Sequence, residues 1–464
     1  MVPPHVLAAV HQRQARRLTE LLDWLAIASV SADPRYEPDL GRAARWLASW
    51  QRARGATVDL RPTRRGRDVV VARWPARPGA RQVVIYGHYD VQPAGPGWSS
   101  HPFRPVIRDG VVYARGANDD KGQLFAHLCA LDAWPGVLPV EVVVIAEGAE
   151  EVGSPGFADV VRELRLRPAA LIVSDTERYD DGTPTVTISQ RGRLSATLLV
   201  DTGGTAVHAG RLGGAVVDPS LVLANVLRTL RTELFPRTVA GRSSATVRTD
   251  DSVRRAARGR ATFGAGLDER VTLKGSVGVT QLDAGVGGAS LPSEAVARLD
   301  LRLPPRSAPA DVVRRARRLI ERCTPPGTRI RVHFSGGIPA LESVPDAAVR
   351  RAVDQACVEI LGRPPVYVRS GGTIPAAGIL ARAFRIRPLL LGFGPPGGNA
   401  HGPDEALDIA GWSSAIQTSA ALISALSSPI GVRPVSVLRR KDHHRKSRRF
   451  RCGDGPVHFE GEER

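Results

Sequence analysis

Residues 82–90 read Gln82-Val83-Val84-Ile85-Tyr86-Gly87-His88-Tyr89-Asp90. An apolar run rich in β-branched residues, closed by a glycine, predicts a short strand buried on both faces. Its C-terminal end delivers a histidine and an aspartate. In open α/β sheets that end is where ligands and reacting groups gather. The pattern returns twice. Residues 140–146 are almost wholly apolar and lead directly into Glu147-Gly148-Ala149-Glu150-Glu151. Residues 170–173 end in Ser174-Asp175-Thr176. Between the first two strands, Asn118-Asp119-Asp120-Lys121-Gly122 opens an apolar helix that continues through Leu131.

Working outward, Leu18, Leu21, Leu22 and Leu25 recur at helical spacing, and a second helix is expected over 40–54, ended by Gly55. A further strand is expected at 69–74. Strands alternating with helices predict an α/β catalytic domain, a mixed and mostly parallel sheet covered by helices. The character changes after Ser189. Residues 194–201 and 295–303 alternate polar with apolar, as half-buried antiparallel strands do, and 219–232 reads as a helix. An α+β insert is therefore expected over 190–304, between catalytic segments 1–189 and 305–428. The second segment carries expected helices at 310–323, 346–361 and 408–426 and a strand at 389–393. Residues 429–464 are polar and charged, and are expected to form a disordered basic tail.

The composition sets limits. A chain of 464 residues is too long for one ordinary core and suits two domains. The net charge of +18 comes from arginines spread along the chain, with no basic helix and no interleaved aromatics, so nucleic-acid binding is not expected. The last 34 residues hold ten Lys/Arg against five Asp/Glu, which confines any polyanion binding to the tail. Cys129, Cys323, Cys357 and Cys452 are scattered without CxxC spacing. Disulfides are not expected, and the cytoplasm is the expected location. No apolar run reaches membrane-spanning length. His11, Arg13, Arg16 and Arg17 interrupt the place where a secretory h-region would stand.

His88, Asp90, Asp119, Asp120, Glu150, Glu151, Asp175 and His401 remain as candidates for chemistry. Singly, each has an ordinary reading as a loop histidine, a helix cap or a solvated acid. Their joint occurrence at the ends of successive buried strands does not. Several carboxylates with two histidines and no cysteine suit two divalent ions, with zinc the default and manganese or cobalt compatible. One carboxylate would bridge the ions. Asp90 is placed to orient the free ring nitrogen of His88. Asp120 is free to cap the following helix while Asp119 ligates. Of Glu150 and Glu151, one ligates and the other stays free as general base.

These segments resemble the signatures of the M20 metallopeptidases, most closely the dipeptidase branch that includes carnosinase. The resemblance is carried by Tyr86–Pro93, Gly116–Gly122, Glu147–Ser154, Ser174-Asp175-Thr176 and Ala400–Glu405, in order along the chain. It implies a dinuclear-metal hydrolase that cleaves a peptide or amide bond next to a carboxylate-bearing residue. His88, Asp119 and Asp175 would hold one metal. Asp119, Glu151 and His401 would hold the other. Glu150 would take the proton of the attacking water, and Asp90 would orient His88. The insert would be a lid that pairs two copies into a homodimer, entered through Gln190-Arg191-Gly192. His208 would be supplied across that dimer to the oxyanion, although Ala209 follows it where the family usually has serine. Arg302 would contact the substrate carboxylate, and Gly372 and Thr373 would cradle the substrate. One departure stands out: Ser370 occupies the place where the dipeptidase branch has a glutamate that recognises the substrate's free amino group. This leaves room for N-acyl amino acids or specialised amides. A non-catalytic binding protein would show substituted ligands, and here all are present.

Overall fold

The structure is a computed structural model, and it describes residues 1–64, 67–179, 181–235, 251–261, 266–285 and 287–427. The expected basic tail, 429–464, lies outside the described residues.

The central strands form where the apolar runs predict them. Gln82–His88 lies parallel to Glu141–Glu147 on one side and to Ala170–Val173 on the other. Leu389–Gly392 adds in parallel beyond Ala170–Val173. Thr57–Pro62 and Asp68–Arg73 extend one margin antiparallel, and Thr185–Gln190 turns antiparallel on the other, where it also meets Leu341–Glu342 and Val366–Ser370. The sheet is thus mixed, with a parallel centre.

Both faces of this sheet are covered, which explains unbroken apolar strands. Val83, Ile85, Val142 and Val144 face one core with Leu21, Trp24, Leu47, Phe125 and Trp412. Val84, Tyr86, Val143 and Ile145 face the other with Phe157, Val161, Ala377 and Leu380. The helix Lys121–Asp132 is buried along nearly its whole length. It packs against the central strand and the helix Ile409–Ser427, and this fixes the loop before it, which carries Asp119, over the strand ends. No described helix is long and apolar enough to cross a membrane.

A second sheet follows the order Ser276–Asp283, Glu294–Leu303, Gly192–Asp201, Arg329–Ile338, antiparallel throughout. Leu194, Leu198, Val200, Leu299 and Leu301 share one core with Val226 and Leu230 of Pro219–Glu233 and with Ala316 and Ile320 of Pro309–Arg322. The expected boundary at 304 is therefore corrected. The helix after it and the strand Arg329–Ile338 belong to the insert's core, and the chain rejoins the large sheet at Leu341. Arg329–Ile338 alternates arginine and histidine with half-buried apolar residues, and so lacks the strong apolar signal of a central strand.

Candidate metal centre

Three parallel strands end side by side. Their register pairs His88 with Glu147 and Tyr86 with Val173, so the residues that follow each strand meet above one sheet edge. His88 is fully buried at the end of its strand. Glu150 and Glu151 stand on a short 3-10 turn just past Glu147. Asp175 lies two residues past Val173, and Asp119 enters from the loop before Lys121–Asp132.

The donor atoms form two groups that share Asp119. His88, Asp119 and Asp175 make one, and Asp119, Glu151 and His401 the other, with the donor atoms in each within 4.8 Å of one another. His88 Nε2 is 3.0 Å from Asp119 Oδ1. His401 Nε2 is 3.0 Å from Asp119 Oδ2 and 3.2 Å from Glu151 Oε2. Gln92 Nε2 donates to Glu151 Oε2 at 2.8 Å. Glu150 belongs to neither group.

Asp90 does more than orient a ring. His88 Nδ1 lies 3.0 Å from the Asp90 carbonyl oxygen and 3.4 Å from its carboxylate. That carboxylate, fully buried, accepts the backbone N–H groups of both Glu150 and Glu151 at 3.1 Å. It thereby ties the end of one strand to the glutamate turn of the next. Asp120 also differs from expectation. It occupies the cap position of its helix, but its side chain makes no capping bond. Its Oδ2 instead accepts the His88 backbone N–H at 3.1 Å. Gly87 permits this contact, since a Cβ there would stand 2.7 Å from Asp120 Oδ2 and 2.9 Å from Leu124 Cβ.

The electrostatics are those of crowded acids. Burial, with Asp119 nearby, pushes the Asp175 carboxyl well above the usual carboxylate range. Burial does the same for Glu150, helped by Glu151, Asp119 and Asp90. Asp119 goes the other way: despite burial, hydrogen bonds with His401 and His88 hold it far below that range. The same bonds to Asp119 and Glu151 raise His401 to about 10. The crowded donor set of imidazoles and carboxylates fits divalent cations in the two groups.

Other expected site residues stand apart from both groups. His208 is exposed at the head of Ala209–Leu212, where its Nδ1 accepts the Gly210 N–H at 3.1 Å. Arg302, 28% exposed, pairs with Asp300 at 2.7 Å. The Gly372 N–H donates to Ser370 Oγ at 3.0 Å, and Thr373 Oγ1 donates to the Arg191 carbonyl at 2.6 Å. Residues that pattern reasoning missed include Gln92 and Glu147. The latter is buried, accepts from Tyr86 Oη and Ser154 Oγ, and is raised by burial and Asp90 to about 8. Both lie inside recognisable motifs, and their partners become visible only in the fold.

A profile described as Peptidase family M20/M25/M40 matches residues 84–425. The chain is 25% identical to the Cys-Gly metallodipeptidase dug1 of Schizosaccharomyces pombe, an alignment covering 90% of this chain and 97% of the relative. It is 27% identical to a cysteinylglycine-S-conjugate dipeptidase of Corynebacterium striatum, covering 85% and 91%. Among solved structures, human carnosine dipeptidase 1 superposes with a TM-score of 0.76 at 22% identity, covering 92% of this chain and 100% of that one. An M20 family metallo-carboxypeptidase from Sulfolobus solfataricus gives 0.75 at 24%, covering 89% and 99%. With that profile running from the central strand across the second sheet and both donor groups, this chain belongs to peptidase family M20/M25/M40, the hydrolases of peptide bonds.

Proposed function

We propose that the chain is a two-metal dipeptidase-type hydrolase that cleaves an amide bond beside a carboxylate-bearing residue. One observation carries this reading: two ligand groups share Asp119, and Glu150 stands on the same turn as Glu151 without joining either. His88, Asp119 and Asp175 would hold one ion, and Asp119, Glu151 and His401 the other. Zinc is the first choice, and manganese or cobalt suits the same donors. When bound, the ions polarise the scissile carbonyl and make water acidic enough to attack near neutral pH. Glu150 is the base. It stands beside Glu151 on the same turn and outside both groups, which leaves its carboxylate free to take a proton from water and return it to the leaving amine. Asp90 holds the turn that carries it. The dipeptidase names of the relatives aligned over most of the chain support a dipeptide-sized substrate.

His208, exposed and outside both groups, is assigned to the oxyanion in the site of a second copy. Arg302 is assigned to the substrate's carboxylate, and Gly372 and Thr373 to the loop that cradles the substrate. The separated cysteines support a cytoplasmic enzyme.

Ser370 favours a second reading within the same chemistry. Its hydroxyl is engaged with the Gly372 N–H, and it offers no carboxylate to a substrate ammonium. N-acyl amino acids then become candidates beside free dipeptides. A hydrolysis screen of the zinc-loaded protein compares free dipeptides with matched N-acyl amino acids, with a chelator control and Glu150→Gln. Chelator-sensitive cleavage that disappears in Glu150→Gln supports the mechanism, and the preferred set decides between the readings. Zinc-bound protein that cleaves neither set contradicts both.

A further inference from the structure

The turn that carries Asp119 is held by a residue outside both ligand groups. Glu405 is fully buried and lies four residues beyond His401. Its Oε1 accepts the backbone N–H groups of Asn118 at 2.8 Å and Asp119 at 2.9 Å. Its Oε2 accepts the Gly116 N–H at 2.9 Å and Arg115 Nη1 at 2.8 Å. Two donors on each oxygen saturate the carboxylate. Three of the four are amides of the turn 116–119, upstream of the helix Lys121–Asp132, so this is not ordinary helix capping. Arg115 is itself buried and anchored. Its Nη2 donates to the carbonyls of Pro93 and Ala94 at 3.2 and 3.3 Å, and its guanidinium lies over the Trp98 ring. The neighbouring Asp404 accepts from both the N–H and the hydroxyl of Ser99. The segment after His401 thus grips the turn bearing Asp119 and the loop that follows His88.

We propose that Glu405, braced by Arg115, is a positioning residue that sets the shared ligand Asp119 against His401 before any metal arrives. The proposal rests on the reading of Asp119 as the ligand common to both groups. Its physical content is geometric. Neutral glutamine has the same size, but its amide nitrogen would face two N–H donors where two acceptor contacts now stand. The turn must then open on one side. Residues that orient metal ligands typically contribute 10–100-fold in affinity.

The test measures zinc affinity by competition with a chromophoric chelator, using full-length wild type, Glu405→Gln, Arg115→Lys and a core variant, Trp74→Phe. Amide hydrogen exchange is followed in metal-free wild type. We expect zinc affinity to fall about 10–100-fold in Glu405→Gln, and in the same direction but less in Arg115→Lys. Trp74→Phe should lower the melting temperature without moving affinity. The amides of Gly116, Asn118 and Asp119 should stay protected in metal-free wild type. Should Glu405→Gln fail to fold, Arg115→Lys and the wild-type exchange decide. Zinc binding in wild type with affinity unchanged in the variants overturns the proposal alone, as does rapid exchange of those three amides. Wild type that binds none of zinc, manganese and cobalt overturns the two-metal reading and this proposal with it.

Discussion

Replacing Asp90 by asparagine tests how the strand ends cooperate. The Asp90 carboxylate accepts two backbone N–H groups at 3.1 Å, those of Glu150 and Glu151, from a fully buried position. Asparagine keeps the volume and one acceptor oxygen. Its amide nitrogen must face the other N–H, donor against donor. A buried amide left without a partner costs about 1–3 kcal/mol. The rigid part of this arrangement is the sheet, and the short turn bearing Glu150 and Glu151 is what can yield. If the penalty is relieved by moving the turn, 1.4 kcal/mol corresponds to a tenfold smaller fraction of correctly poised molecules. We therefore expect kcat to fall roughly 10–100-fold at saturating zinc, with little change in KM, because the residues proposed to cradle the substrate are not bonded to Asp90. Asp90→Ala removes both acceptors and should lose more. Steady-state kinetics on the best substrate of the screen, with thermal denaturation alongside, supply the readout. An asparagine variant with kcat within about twofold of wild type, or with the whole loss in KM, refutes the reasoning.

Further predictions follow from the same contacts. Gly148→Ala places a Cβ 2.5 Å from the Tyr89 ring, whose hydroxyl is held by the Asp68 carbonyl; we expect a loss of about 1–3 kcal/mol of stability, read by chemical denaturation, together with reduced zinc affinity. His127 is buried between Ser419 and Ser174, and burial lowers it to about 3 from an ordinary 6.5. Because the folded value lies below the unfolded one, the unfolded chain takes up the proton first. Stability is full above about pH 6.5 and declines as pH falls toward 3, by up to roughly 4 kcal/mol; His127→Gln should flatten that part of the acid denaturation profile. His208→Ala should lower kcat by about 10²–10³-fold with zinc affinity unchanged. Heterodimers of His208→Ala with Glu150→Gln should recover activity if the histidine acts across the dimer, and their inactivity would contradict that role.

The legibility of this protein divides along physical lines. Runs such as 82–86 and 140–146 announced themselves because both faces of the central sheet are buried, which removes polar residues from the strand. The ligand candidates were legible for a related reason, since acids and histidines directly after such runs have no core role. Arg329–Ile338 carries a weak signal because one of its faces is polar, so nothing in the sequence marks that the insert's core runs past residue 304. Thr185–Gln190 was hidden by its threonines, which are buried in the fold. Asp120 shows the limit of local rules. Its position predicted a cap, but the approach of His88 allowed by Gly87 redirected the side chain. The roles of Gln92 and Glu405 were out of reach, because Gln92 bonds to a residue 59 positions away and Glu405 to one 286 positions away. Spacing rules do not see such pairs.

The central claim is that two ions sharing Asp119 are required for hydrolysis. Its most direct test is to strip the protein of metal and titrate zinc back, measuring bound zinc and amide-bond cleavage together. The account predicts no cleavage without metal, two zinc ions per chain at saturation, and activity that is lost in Asp119→Ala together with binding in both groups. Full cleavage by the stripped protein, or an Asp119→Ala variant that still binds two zinc ions and hydrolyses normally, would contradict it.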